Sequence, residues 1–213
     1  MIRFIGFYDY TVILTFLSLF SAVFGMTQAA QGNCMIATFC LAFSGICDAF
    51  DGRVARKKKN RTQDEKNYGI QLDSLVDVIS FGFFPAMICY FLGVQGVLGL
   101  VLVGFFSACA VIRLAFFNVM EEKRQKEEGG CAKYYRGLPV TSISILLPLV
   151  YWLHLLLSQQ AFLILLHVLL GGIGLLFILD FPLRKPGLKG ILMLIGIALV
   201  LLAGILCAAF FLR

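Results

Sequence analysis

Apolar residues run for about twenty positions at a time along this chain, and short polar or glycine-bearing breaks separate the runs. That length matches the ~20 residues a helix needs to cross a hydrocarbon layer of ~30 Å. The pattern predicts seven spans, at Tyr10 to Ala30, Asn33 to Arg53, Ile70 to Leu92, Val94 to Phe117, Leu138 to Leu157, Ala161 to Phe181 and Leu188 to Leu212. The expected fold class is all-α, a polytopic membrane helical bundle of about seven transmembrane helices, with six to eight as the range. Little chain is left between the runs, so residues 1–213 are expected to form a single integral membrane domain with no soluble module. The first run is expected to be an uncleaved span, and Met1 to Tyr10 are amphipathic enough to lie along the interface before it.

Composition agrees. Of 213 residues, 60% are hydrophobic and 14% charged, and the mean hydropathy is +0.92, far from the balance of a soluble globular domain. The placement of Lys and Arg then orients the bundle. If the basic segment Arg53 to Lys66 faces the cytosol, alternation brings Arg3, the Lys123 to Arg136 loop and the loop with Arg184, Lys185 and Lys189 to the same side. The opposite turns, Ala30 to Gly32, Gly93 to Gly96 and Ser158 to Gln160, carry no charge. Topology and attraction to anionic headgroups therefore account for the formal +6, and no nucleic acid is expected as a partner. Seven cysteines, none in a C-x-x-C pair, read as small apolar residues and not as a disulfide framework. His154 and His167 are expected to make polar contacts between helices.

The chemistry lies in four acids. Asp48, Asp51, Asp73 and Asp77 interrupt otherwise lipid-soluble helix, where a carboxylate costs roughly 3 kcal/mol or more and so faces a cavity, a partner charge or a metal. On a helix, Asp48, Asp51, Gly52 and Ala55 share an arc of about 100°, and Gly69, Asp73, Asp77 and Ser80 share one of about 80°. Two spans joined by a short loop are antiparallel neighbours, so the two acidic stripes are expected to converge near the cytosolic surface. Converging carboxylates repel unless cations lie between them, and hard oxygen ligands suit Mg²⁺ or Mn²⁺. Such a cluster fits diphosphate chemistry, with one carboxylate left to act as base on an incoming hydroxyl. Gly52 and Gly69 clear space for a nucleotide or pyrophosphate, and Arg56 can point a guanidinium at phosphate. A salt-bridge set with Arg53, Arg56 or Arg113 is the alternative role for the acids.

The run Asp48-Ala49-Phe50-Asp51-Gly52-Arg53-Val54-Ala55-Arg56, followed by Gly69-x3-Asp73-x3-Asp77, resembles the signature D-x2-D-G-x2-A-R-x8-G-x3-D-x3-D of the CDP-alcohol phosphotransferases. One departure is the connection from Arg56 to Gly69, twelve residues where the signature has eight. Within the family, Leu72 to Asp77 running into Ser80-Phe81-Gly82, then Ala110 to Asn118 and Gly137-Leu138-Pro139, is similar to the membrane-embedded bacterial phosphatidylserine synthases. The resemblance implies a catalytic core at about 10–150, with extra C-terminal spans at 161–212. It implies transfer of a phosphatidyl group from CDP-diacylglycerol to L-serine, in a bacterial cell membrane and from the cytoplasmic side. Asp48, Asp51, Asp73 and Asp77 would hold two Mg²⁺ or Mn²⁺ ions, and Asp77 would also be the base. Gly52, Ala55, Arg56 and Gly69 would line the CDP site, and the family implies a homodimer. Arg113 is expected to bind the serine carboxylate or lipid phosphate, or else to snorkel. Arg136 and Ser80 are weaker candidates for phosphate or substrate contact.

Two other classes compete. An ion-coupled transporter also uses intramembrane acids, but all four acids here crowd one rim and the chain has no inverted repeat. A prenyltransferase acting on an isoprenyl diphosphate would want a second acidic motif downstream, where only Asp180 stands. The nearest alternative keeps the family and changes the acceptor to glycerol 3-phosphate or inositol phosphate.

Overall fold

The computed structural model describes residues 5–7, 10–57, 62–127 and 134–184, with single positions from Gly196 to Cys207. Within these the chain is a helical bundle. A 3-10 turn, Tyr10–Val12, leads into α1 (Ile13–Ala30), which a tight turn connects to α2 (Cys34–Lys57). Gly32 permits that turn with a φ of +85°, a left-handed conformation that residues with a Cβ seldom adopt. Asn33 then donates back to the Gln28 carbonyl at 2.9 Å. The result is an antiparallel hairpin of two membrane-length helices.

α1 buries Thr15, Ser18, Ala22, Gly25 and Ala29. These recur every three or four residues and so form a single stripe of small side chains, the kind that lets helix backbones approach closely where lipid gives no hydrophobic drive to associate. At Gly25 the approach is extreme, because a Cβ there would collide with the Phe84 ring. Gly45 on α2 is held in the same way, against Ser144.

α3 (Gln63–Asp77), a π-helical turn (Val78–Phe83) and α4 (Phe84–Phe91) form one continuous rod. Its start is set by a capping box, in which Glu65 N–H donates to Thr62 Oγ1 at 3.2 Å and Thr62 N–H donates to the Glu65 carboxylate at 2.8 Å. The rod begins a full turn and more before the expected Ile70, because polar residues that fall outside an apolar run are still good helix formers once capped. Pro85 explains the π turn. It has no N–H for the carbonyl of Phe81 and its ring crowds that carbonyl, and a wider turn relieves both.

α5 (Gly96–Glu127) has 32 residues, about 48 Å at ~1.5 Å per residue, and continues well past the expected end at Phe117. A 3-10 turn (Val140–Ser142), α6 (Ile143–Trp152) and a second 3-10 turn (Leu153–Leu155) follow, then α7 (Gln159–Ile178). Among the described residues, five helices are long and apolar enough to cross a membrane, and Val140–Leu155 is a shorter apolar one. The seventh expected span, Leu188 to Leu212, lies outside the described residues except at single positions. One of these, Gly204, sits against the Trp152 ring.

The all-α expectation holds, with one short addition: β1 (Tyr134–Arg136) and β2 (Pro182–Arg184) pair antiparallel, Tyr135 opposite Leu183. The segments entering α6 and leaving α7 run side by side, and their backbone groups satisfy one another. The ladder continues in a bond from Gly137 N–H to the Phe181 carbonyl at 2.7 Å. One expectation needs correction: the polar contacts of the histidines do not run between helices, although the His154 ring packs on Phe162 of α7. The His154 and His167 rings bond carbonyls one turn back, Tyr151 at 2.6 Å and Leu163 at 2.7 Å.

The core is aromatic and branched aliphatic. Phe81, Phe84, Phe106, Ile143, Leu147, Leu166 and Leu170 are fully buried, and α5 meets α7 through the rings of Phe106 and Phe177, 5.4 Å apart. Phe20, Leu98, Val101, Ile164 and Val168 point outward, as a surface solvated by acyl chains requires.

Gly25→Ala is expected to destabilise the protein by about 1–3 kcal/mol through overpacking against Phe84, read as a lower thermal unfolding midpoint in detergent. Adding Phe84→Leu should make the pair less costly than the two single changes summed. Strict additivity would show that the two positions do not press on each other.

Candidate active site

The site is built where α2 ends and α3 begins its descent. α2 carries Asp48 and Asp51 at successive turns of one face, and α3 carries Asp73 and Asp77 at i and i+4. Carboxylate oxygens of Asp48, Asp73 and Asp77 all lie within 4.8 Å of one another. Asp51 stands beside them, with its carboxyl within hydrogen-bonding reach of Asp73 and of the Gly52 N–H. The setting is dry. Asp51 is 7% exposed and Asp77 9%, while Asp48 and Asp73 are half-buried.

Two unit charges ~4 Å apart repel by about 4 kcal/mol at an effective dielectric of ~20, and four carboxylates this close multiply that pairwise cost. Protons or cations must therefore be shared among them. The donor set consists of carboxylate oxygens alone, the hard ligands that Mg²⁺ and Mn²⁺ prefer. The residues present fit such an ion, with Asp48, Asp73 and Asp77 as its nearest mutual ligands and Asp51 alongside.

α1 backs this cluster with hydroxyls. Thr15 Oγ1 donates to Asp51 Oδ2 at 3.4 Å, both residues buried. Ser18 Oγ donates to Ser80 Oγ at 3.3 Å, and Ser44 donates to the Ser18 carbonyl at 3.1 Å. Ser80 is thus fully buried in the π turn and tied to α1. On the other flank, Ser74 donates to Asn118 of α5 at 2.8 Å, next in sequence to Asp73. The apolar pattern leaves Thr15, Ser18 and Asn118 unmarked. A signal existed for the first two, since they are the polar members of the small-residue stripe that packs on α2.

The remaining expected residues divide. Gly52 is exposed beside Asp51, and Gly69 lies half-buried one turn before Asp73. Ala55 and Arg56 belong to α2 and Arg136 to β1, but their side chains are outside the described ones, as is that of Arg53. Arg113 does not snorkel. It is 7% exposed and donates to the Gly137 carbonyl at 3.4 Å, within the field of Asp180. Gly137 has a φ of +71°, and a Cβ there would come 3.3 Å from the Arg113 guanidinium. Arg113 therefore belongs to the joint between α5 and the strand pair, and it is not a counter-ion to the four aspartates.

A model of the CDP-alcohol phosphatidyltransferase family matches residues 10–202. Over 110 residues the chain is 38% identical to a Saccharomyces cerevisiae protein named CDP-diacylglycerol–serine O-phosphatidyltransferase, covering 50% of this chain and 38% of that protein. A Helicobacter pylori protein of the same name is 31% identical over 144 residues, 67% of this chain and 56% of its own. An archaetidylserine synthase from Methanothermobacter thermautotrophicus is 32% identical over 129 residues, 60% and 51% of the two chains. The matches span between 38% and 56% of these relatives' lengths.

Loss of the hydroxyl in Thr15→Val should weaken divalent-ion binding by about tenfold, the effect usual for a group that orients a ligand. Titration with Mn²⁺ followed by electron paramagnetic resonance would measure it, and Thr15→Ser should bind like the parent. Equal affinity in all three proteins would detach Thr15 from the site.

Proposed function

The chain belongs to the CDP-alcohol phosphatidyltransferase family, and on that premise we propose that it transfers the phosphatidyl group of CDP-diacylglycerol to the hydroxyl of L-serine, releasing CMP. The observation that carries this reading is the meeting of Asp48, Asp73 and Asp77 oxygens within 4.8 Å, on helices where the family signature sets them. The serine acceptor is supported by the names of the relatives, two of them serine O-phosphatidyltransferases and one an archaetidylserine synthase.

In the reaction, the serine oxygen forms a bond to the phosphorus that bears the diacylglycerol, and the bond from that phosphorus to the oxygen of CMP breaks. The serine proton must leave as the bond forms. Asp77 takes it, because this carboxylate is the deeper of the two on α3 and stands directly before the π turn, so its orientation is set before substrate arrives. Asp48, Asp51 and Asp73 would hold two divalent ions, Mg²⁺ or Mn²⁺, which would supply charge neutralisation for the diphosphate oxygens and for CMP as it leaves. Gly52, Ala55, Arg56 and Gly69 line the nucleotide site. A residue with a side chain at Gly52, beside Asp51, would fill space that the diphosphate needs.

The membrane contributes to the geometry. Acyl chains remain among the outward apolar side chains while the headgroup reaches carboxylates near the helix ends, and serine approaches from water. The basic connections on the same side favour the cytoplasm as that water. The protein is proposed to act as a homodimer in the membrane, as the family does.

An acceptor panel tests the assignment: purified protein, CDP-diacylglycerol, Mn²⁺ and one of L-serine, glycerol 3-phosphate or inositol phosphate, with CMP release recorded. Release with serine alone is expected, and EDTA should abolish it. Asp77→Asn should lose at least about 100-fold in kcat while still binding CDP-diacylglycerol, since general-base removal costs about 10²–10⁴. A variant at normal rates would remove Asp77 from proton transfer.

A further inference from the structure

We propose that Ser18 of α1 and Ser107 of α5 are positioning residues for Asp77: from two different helices they clamp the π turn that follows it, and so hold its carboxylate in the direction the reaction needs. This rests on the reading of Asp77 as the base given above.

The π turn Val78–Phe83 starts directly after Asp77, and its wide ring closes where the Phe84 N–H donates to the Ile79 carbonyl, five residues back. Such a turn absorbs one extra residue into the helix and is rare outside places where the surroundings hold it. Pro85 requires a wide turn near Phe81, but it leaves open the residue at which that turn starts. Were the extra residue taken up one turn earlier, before Asp77, the carboxylate would swing by roughly 100° relative to Asp73, the arc of one residue on an α-helix. The two aspartates, neighbours on one face at i and i+4, would then part.

Side chains from outside the rod fix the turn where it is. Ser107 Oγ donates to the Gly82 carbonyl at 3.3 Å, in a buried contact. Gly82 permits that approach, because α5 lies so near that a Cβ there would come 3.1 Å from the Ala110 Cβ. Ser18 Oγ donates to Ser80 Oγ at 3.3 Å, and Ser44 of α2 holds Ser18 in turn by donating to its carbonyl at 3.1 Å. All four serines are buried. The third and fifth residues of the turn are thus tied to α1 and α5, and the turn cannot slide along the rod without breaking these bonds. Hydroxyl bonds of this kind add little to the stability of a membrane bundle. Their effect falls on the direction of the residue next to the turn, which is Asp77.

The test compares kcat with L-serine in the parent, Ser107→Ala, Ser18→Ala and Ser21→Ala. Ser21 is the control, since its Oγ donates from α1 to the Cys40 carbonyl of α2 at 3.0 Å instead of to the turn. Ser107→Ala and Ser18→Ala should each lose about tenfold in kcat, as a misdirected base does. KM for serine and for CDP-diacylglycerol should move less than about twofold. Ser21→Ala should keep the parental kcat, with the thermal midpoints of the three variants alike. On an Asp77→Asn background the first two substitutions should cost no more than about twofold, because the group they aim is gone, whereas a merely structural hydroxyl would cost the same with or without Asp77. Parental kcat in either variant, or a loss that survives in full on Asp77→Asn, overturns the clamp and leaves the serine assignment standing. If one variant fails to fold, the other decides. Glycerol 3-phosphate used in place of serine overturns the acceptor assignment, and the same ratios measured with that acceptor then decide the clamp. Parental turnover by Asp77→Asn overturns the base and the clamp together.

Discussion

Four carboxylates share a few ångströms of dry space between two helices, and nearly every other feature near them bears on how that repulsion is managed. The cost is steep because the interior of a membrane bundle screens charge poorly. It is tolerable only if the acids are held in register for a cation and prevented from relaxing apart. α1 supplies that constraint. Its small residues let it lie flat on α2, and two of its hydroxyls end up against Asp51 and Ser80. The π turn supplies another, directly after Asp77, where Pro85 forbids an ordinary helical turn.

Two kinds of polar contact have different weights here. Buried hydroxyl bonds such as Thr15 to Asp51 gain on the order of 0.6 kcal/mol each when measured inside membranes, too little to hold a bundle together. Their value is directional. The bulk of the stability comes from close packing, seen where Gly25 meets Phe84 and Gly45 meets Ser144, and from the aromatic and aliphatic core shared by α4, α5, α6 and α7. Arg113 combines both effects, since a buried guanidinium needs partners and finds them in the Gly137 carbonyl and the field of Asp180. The arginine thus links the strand pair to α5 and not to the acids.

The CDP-alcohol phosphatidyltransferase reading divides α3 along its length. Asp73 and Asp77, near its end, meet Asp48 of α2, while Gln63 and Asn67, near its start, are exposed. Both sets sit on a rod whose start is fixed by the Thr62–Glu65 capping box.

Much was legible without coordinates. Apolar run length marks membrane helices because lipid leaves the backbone no other partner, and spacings of three and four place Asp48 with Asp51, and Asp73 with Asp77, on single helix faces. Helix ends were less legible: α3 and α5 extend beyond their apolar runs, since capping and propensity continue where hydrophobicity stops. What only the tertiary structure decided was which faces meet. Sequence period determines the stripe to which Thr15, Arg113 or Asn118 belongs. Whether that stripe rests on an aspartate, a carbonyl or a serine depends on how closely small residues let each pair of backbones approach, and that is a property of the assembled bundle.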